Sequence, residues 1–336
     1  MEGRHAYLVT ARPDSWELAL EDIRAVDPGA RLGAAVAPGL LVVVSSRDPQ
    51  TLADALRRDG PFVRHLFPIH QRVAGSYQAM AVMAAACEAA ASLDASRPVA
   101  VQVRALMPGV AGEVRAAVTR ALTDRGLAPV AGEAPQVLSV VVSADASWVG
   151  ASPTAHNLSS TAGGIVGFSD PAAQVSRAAG KLLEAFRVFD LAWPTAGRAL
   201  DLGAAPGGWS RVLLDRGLAV VAVDPAALDD GLARHPRLMH WRETVQTYTV
   251  RPRDGQFALI VNDMRLGAAE SARLMRPLAD RLDDAGFGVM TLKLHETRRR
   301  RQMRAALDAL VPGFRVIGCR QLYHNRSEVT VALAKR

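Results

Sequence analysis

Apolar and polar positions along the first 150 residues fall into short blocks. Ala6–Thr10 is an apolar run of strand length, and Pro13-Asp14-Ser15 opens a helix with apolar spacing at Trp16, Leu18, Leu20 and Ile23. Leu40–Val44, after Pro38-Gly39, is a continuous aliphatic run and predicts a buried strand. Thr51–Arg58 predicts a helix and Phe62–Phe67 a last strand. Residues 1–70 therefore read as a small α+β unit with no catalytic constellation. Tyr77–Leu93 then predicts a long helix, Val99–Arg104 a strand, and Glu113–Arg125 a helix with Val114, Ala117, Val118 and Leu122 on one face. Val137–Val142 and Trp148–Gly150 predict paired strands around Ser143-Ala144-Asp145. Ser152–Gly167, rich in Ser, Thr, Gly and Asn, reads as a linker or exposed loop and places the main boundary near residue 170.

From Arg198 the pattern changes to alternating strands and helices, the signature of a doubly wound sheet. Ala199–Leu202, Ala219–Val223, Ala258–Val261 and Val289–Leu292 are the expected buried strands. Trp209–Arg216, Ala268–Asp283 and Arg300–Leu310 are the expected helices. Phe314–Gly318 and Val329–Leu333 have no helix between them, so they predict an antiparallel hairpin at the edge of an otherwise parallel sheet. No apolar run reaches the ~18 residues of a membrane span. The N-terminus does not have the pattern of a secretory leader.

Charge is unevenly distributed. Residues 1–170 hold 14 arginines against 16 carboxylates, net −2, whereas residues 171–336 hold 26 basic and 17 acidic side chains, net +9. A basic second half suits a polyanionic partner. Of 40 basic residues only Lys181, Lys293 and Lys335 are lysine. Arginine serves ion pairs and phosphate contacts but cannot usefully lose its proton, so a lysine retained inside a core motif points to chemistry. The two cysteines, Cys87 and Cys319, are too few for a disulfide framework or a four-ligand zinc site and suit a reducing cytoplasm. His295, Glu296 and His324 lack a matched third ligand, and no metal site is expected.

The strongest motif is Asp201-Leu202-Gly203-Ala204-Ala205-Pro206-Gly207-Gly208-Trp209, between a strand and a helix. That is the edge at which open α/β sheets hold ligands. Asp224 ends the next strand, where a carboxylate can accept both hydroxyls of a ribose, so the spacing fits an adenosine-type cofactor.

This motif, with Asp263 in Val261-Asn262-Asp263-Met264 and Lys293 in Thr291-Leu292-Lys293-Leu294, resembles the FtsJ-type ribose 2′-O-methyltransferases. The likeness is greatest to the ribosomal RNA large subunit methyltransferase M family, over Ser176–Phe189, Asp201–Trp209, 261–264, 292–294 and 320–331. It implies a Rossmann-like methyltransferase domain over residues 171–336, which uses S-adenosylmethionine to methylate a ribose in RNA, most plainly ribosomal RNA. A ferredoxin-like unit over 1–70 and a THUMP-like RNA-binding domain over 71–170 would precede it. Residue by residue, the family's catalytic tetrad falls on Lys181, Asp263, Lys293 and Glu328. Lys293 would be the general base, while Glu328 would orient the cluster. The cofactor would lie on Asp201, Gly203, Ala205, Pro206, Gly207, Gly208 and Trp209, with its ribose on Asp224 and its methionine part beside Asp263.

Two positions depart from the family. Ala178 stands where a cofactor-contacting serine is expected, and Thr244 where an acid for the adenine region is expected, with Glu243 beside it as substitute. Arg298-Arg299-Arg300-Arg301, shortly after Lys293, suits phosphate contact. Two other functions are compatible with the fold: methylation of a small molecule, and non-catalytic RNA binding.

Overall fold

The computed structural model describes residues 4–159, 161–164, 177–250 and 255–336. The chain divides into two compact units, residues 1–165 and 166–336.

The first unit holds two sheets. Strands β1 (His5–Thr10), β2 (Arg31–Ala37), β3 (Leu40–Ser45) and β4 (His65–Pro68) form an antiparallel sheet in the order β2-β3-β1-β4. Helices Trp16–Val26 and Pro49–Asp59 stand between β1 and β2 and between β3 and β4. Strands β5 (Gln71–Ala74), β6 (Pro98–Ala105), β7 (Ala128–Val130), β8 (Gln136–Val142) and β9 (Ala146–Pro153) form the second sheet, in the order β5-β9-β8-β6-β7. Helices Ala79–Ala90 and Val110–Thr123 bury Val82, Ala86, Val114, Val118 and Leu122 against its aliphatic face. Burying one such valine or leucine is worth about 1.5–3 kcal/mol.

Two expectations for this unit need correction. Strands β2, β5 and β7 have no counterpart in the sequence reading. β2 is an edge strand with five exposed residues in Arg-Leu-Gly-Ala-Ala, so no buried alternation marks it. The start of the expected linker is also packed rather than free. Thr154–His156 makes a short 3₁₀ turn, Asn157 is buried, and the Ser152 hydroxyl donates to its Oδ1 at 3.1 Å. The end of that segment lies outside the described residues.

The second unit is one seven-stranded sheet. β10 (Arg198–Leu202), β11 (Ala219–Val223), β12 (Leu238–Trp241), β13 (Phe257–Asn262) and β14 (Leu282–Lys293) run parallel. β15 (Phe314–Arg320) and β16 (Glu328–Lys335) complete the order β12-β11-β10-β13-β14-β16-β15. β16 lies antiparallel between β14 and β15, which is the expected late hairpin. The chain leaves β10 outward through β11 and β12, then returns to β13 on its other side. That reversal makes a crevice outside the carboxyl ends of β10 and β13.

The expected helix Ala268–Asp283 is shorter. It ends at Met275, gives a 3₁₀ stretch Arg276–Arg281, and β14 begins at Leu282, opposite Phe257. Pro277 has no N–H to continue an α-helix, which explains the break. Strand β12 was also unmarked: it is a sheet edge, and Met239 in it is exposed. Among the described residues, no helix is long and apolar enough to cross a membrane.

Candidate active site

The glycine-rich loop follows β10 directly. Gly203 has φ +74°, and a Cβ there would stand 2.9 Å from the Met264 Cα. Gly207 has φ +118°, and a Cβ there would meet the Leu232 side chain at 2.1 Å. Both positions thus need glycine for conformation and for space. Ala205 N donates to Asp224 Oδ2 at 3.1 Å, and Ala226 N donates to Asp224 Oδ1 at 2.8 Å. Asp224, half-buried just past β11, is thereby fixed while keeping lone pairs for further donors. Its own N–H donates to Trp241 O at 3.2 Å, and the half-buried Glu243 lies two residues beyond. Thr244 is spent on local structure: its hydroxyl accepts from Thr247 N at 3.2 Å, at the start of the helix Val245–Val250.

Two loop residues brace rather than face solvent. Asp201 is 1% exposed and accepts from the Ser210 hydroxyl at 2.7 Å. Burial raises its pKa to about 7, against the pull of that hydrogen bond. Trp209 is buried, and its indole Nε1 donates to the carbonyl of Ala178 at 2.5 Å. The position where a serine was expected therefore contributes its backbone, tying the loop to the helix Arg177–Val188.

That helix carries Lys181. Its ammonium donates to Glu328 Oε1 at 2.6 Å and lies 3.3 Å from Asp263 Oδ2. Asp263 follows β13, Lys293 ends β14, and Glu328 begins β16 directly opposite Lys293 in the antiparallel register. Lys293 Nζ pairs with Asp263 Oδ1 and donates to Thr291 Oγ1 at 2.9 Å. Four residues from four elements thus meet at one edge of the sheet, as two ammoniums and two carboxylates.

Their electrostatics differ. Burial opposes the charge on Lys181, but Asp263 and Glu328 prevail and raise its pKa. For Lys293, burial prevails with help from Lys181, and its pKa falls below the ordinary lysine value despite Asp263. Burial works against both carboxylates; Lys293 and Lys181 hold Asp263 below its usual range, and Lys181 does the same for Glu328. Lys293 also has the most open side chain, 25% exposed against 9% for Lys181. The lysine with the lowered pKa is thus the one more open to solvent.

Sequence reasoning missed two supporting residues. Thr291, buried on β14, donates to Asp263 Oδ1. Glu184, one turn beyond Lys181 and 2% exposed, accepts from Tyr323 N at 2.6 Å and His324 N at 2.9 Å. Its Oε2 also lies 2.7 Å from His324 Nδ1. It anchors the turn that leads into Glu328. Its spacing from Lys181 puts it on the same face of the helix but does not mark its distant partners. The arginine run is divided: Arg298 and Arg301 are exposed, whereas Arg299 is buried. Among the described residues, no group of His, Cys, Asp and Glu could hold a metal.

Comparison with known proteins bears on this geometry. The chain is similar to "Ribosomal RNA large subunit methyltransferase M" of Pseudomonas syringae pv. syringae, 36% identical over 148 residues, covering 41% of this chain and 39% of that one. The protein of the same name from Halorhodospira halophila is 39% identical over 137 residues, 40% of this chain and 38% of that one. The one from Laribacter hongkongensis is 36% identical over 187 residues, 51% of each. The chain thus spans between about two fifths and half the length of these curated relatives. Residues 174–273, which carry Lys181, the glycine loop, Asp224 and Asp263, match the model of the FtsJ-like methyltransferase family, so the resemblance read from the motifs holds over those residues.

Proposed function

We propose that this protein is an S-adenosylmethionine-dependent ribose 2′-O-methyltransferase acting on RNA, with large-subunit ribosomal RNA as substrate. The observation that carries the reading is the cluster of Lys181, Asp263, Lys293 and Glu328 beside the glycine loop. The residues present fit the cofactor. Asp224 offers carboxylate lone pairs for ribose hydroxyls, and the tight turns at Gly203 and Gly207 hold the loop backbone at the carboxyl end of β10, beside that carboxylate. The cofactor supplies an electrophilic sulfonium methyl group when bound.

A ribose 2′-hydroxyl is a poor nucleophile, so position and proton removal must do the work. In this reading Lys293 Nζ, neutral in the active form, is the group placed to take the 2′-hydroxyl proton, and a bound cofactor would give up its methyl from sulfur and leave as a neutral thioether. Asp263 and Thr291 aim that amine, and Asp263 stabilises the ammonium that results. Burial lowers the Lys293 pKa most, and Lys181, held charged by Asp263 and Glu328, adds to that lowering. Asp201 and Trp209 keep the loop on β10 and on the Lys181 helix.

Residues 1–70 are read as ferredoxin-like, a reading supported by their β-α-β-β-α-β order. Residues 71–170 are read as a THUMP-like domain and linker that present RNA, which their net charge does not oppose, because RNA can be recognised by shape. An RNA substrate and two free cysteines suit a cytoplasmic site of action. The test is tritiated methyl transfer from S-adenosylmethionine to total RNA of a strain lacking the protein, with the label mapped by primer extension. A ribose-methylated nucleotide in large-subunit RNA is the expected result. Label found only in small molecules, or none, refutes the reading.

A further inference from the structure

A cavity of about 500 Å³ opens next to the lysine cluster. Gly267, on its wall, bridges Lys293 in parallel, and His295, also on its wall, lies two residues past Lys293. Its walls are the first turns of the helix Ala268–Met275 and one face of the helix Arg299–Leu310.

The lining has two characters. Ala268, Ala269 and Ala305 give a small, smooth floor, and Arg273, Arg298 and Arg301 bring three guanidiniums against one carboxylate, Glu270. Among the described residues these three arginines make no ion pair with a protein carboxylate. Arg298 holds a left-handed backbone at φ +63°, a conformation that side-chain-bearing residues seldom adopt. The neighbouring loop is braced by Gln302, whose Oε1 accepts from His295 N at 2.8 Å and whose Nε2 donates to Thr297 O at 3.0 Å. Cationic groups are thus held at a cavity whose wall adjoins the end of the strand that carries the proposed base.

We propose that this cavity is a nucleotide subsite for the substrate strand: the base of the nucleotide next to the methylated ribose lies over the alanine floor, and its phosphate sits between Arg298 and Arg301. The proposal rests on the RNA methyltransferase reading. Guanidiniums suit a phosphate through their charge and an unstacked base through their planar faces, and small side chains beside them leave room for the base. An acidic peptide would use the guanidiniums but not the floor.

The experiment uses the full-length chain, a fluorescein-labelled oligouridylate of about twelve nucleotides, and binding measured by anisotropy across a salt series. Replacing Arg298→Ala and Arg301→Ala together should weaken binding about tenfold and reduce the salt slope by about 0.7, the loss of one phosphate contact on a single strand. Ala305→Leu, which fills the floor without offering an aromatic ring to stack on, should weaken binding while leaving the slope unchanged. Arg304→Ala, exposed on the same helix but outside the cavity, should change neither. S-adenosylmethionine affinity by calorimetry should stay within twofold in all three. An unchanged slope in the double variant, or an equal drop in Arg304→Ala, overturns the subsite. Absence of methyl transfer by the wild type, with the arginine dependence of binding intact, overturns instead the activity on which it rests.

Discussion

Asp27 in the first unit and Asp263 in the second are both sheltered carboxylates whose pKa lies below the usual range, yet they are held there by different means. Burial works against the charge in each. Asp27 then receives four neutral donors: Ser45 Oγ at 2.6 Å, Ser46 N at 2.8 Å, and Ser46 Oγ and Gly29 N at 3.1 Å. Its capacity is used within the fold, and it staples the end of β3 to the turn after the helix Trp16–Val26. Asp263 is held by two ammoniums, one of them a quarter exposed and inclined to lose its proton. A carboxylate satisfied by neutral donors is complete, whereas one satisfied by titratable donors can take part in moving a proton.

The largest effect that separates the two sites is chemical. Lys293→Arg keeps the charge beside Asp263 but replaces an amine that can be neutral with a guanidinium that cannot. Methyl transfer should fall roughly 10²-fold or more, the scale of a lost general base, while cofactor affinity stays within a few-fold. In the wild type the rate should rise with pH as one proton leaves Lys293, with its midpoint below the ordinary lysine value. Near-normal turnover in the arginine variant would remove Lys293 from the role of base.

At the other site the effect should be on stability alone. Asp27→Ala leaves two backbone donors and two hydroxyls without their acceptor, and about 2–3 kcal/mol of stability should be lost. Cofactor affinity of the folded fraction should be unchanged. A drop in that affinity by calorimetry, at a temperature where the variant is fully folded, would blur the division drawn above.

Glu184 stands between the two types, because it is fully used by the fold yet holds the turn that delivers Glu328. Glu184→Gln keeps its size but removes the charge that receives Tyr323 N and His324 N. We expect kcat to fall about tenfold with KM for RNA and cofactor affinity little changed, since charge-assisted bonds are roughly twice as strong as neutral ones. A loss confined to melting temperature, with kcat intact, would make Glu184 structural only.

The visibility of these features in the sequence follows from what each residue does. The glycine loop shows itself because its conformation excludes most side chains, and Lys181 and Lys293 stand out because arginine replaces lysine almost everywhere else. The buried parallel strands β10, β11 and β13 appear as aliphatic runs. Edge strands β2 and β12 do not, since one side or both meet solvent. Glu184 was hidden for a different reason. Its partners are backbone N–H groups about 140 positions away, and nothing in the identity of Tyr323 or His324 marks their amides as donors.

Asp201 gives the smallest effect and the finest test of a carboxylate completed by the fold. Its pKa is raised to about 7 by burial, well above the ordinary aspartate value. The folded state therefore binds this proton more tightly than the unfolded chain does. The stability it contributes is full below about pH 4 and disappears as pH rises through 7, so between pH 6 and 8 about 1 kcal/mol should be lost. Other groups shift stability in the same range: His65, buried and lowered to about 3, favours the fold increasingly as pH rises toward its unfolded value. They are common to the wild type and to Asp201→Asn, however, so the difference between the two melting curves isolates Asp201. Asp201→Asn keeps the size and can still accept from Ser210, and its melting temperature should fall less than that of the wild type from pH 6 to pH 8. Parallel falls in both proteins would mean that Asp201 is ionised throughout, with its charge met by donors other than the Ser210 hydroxyl.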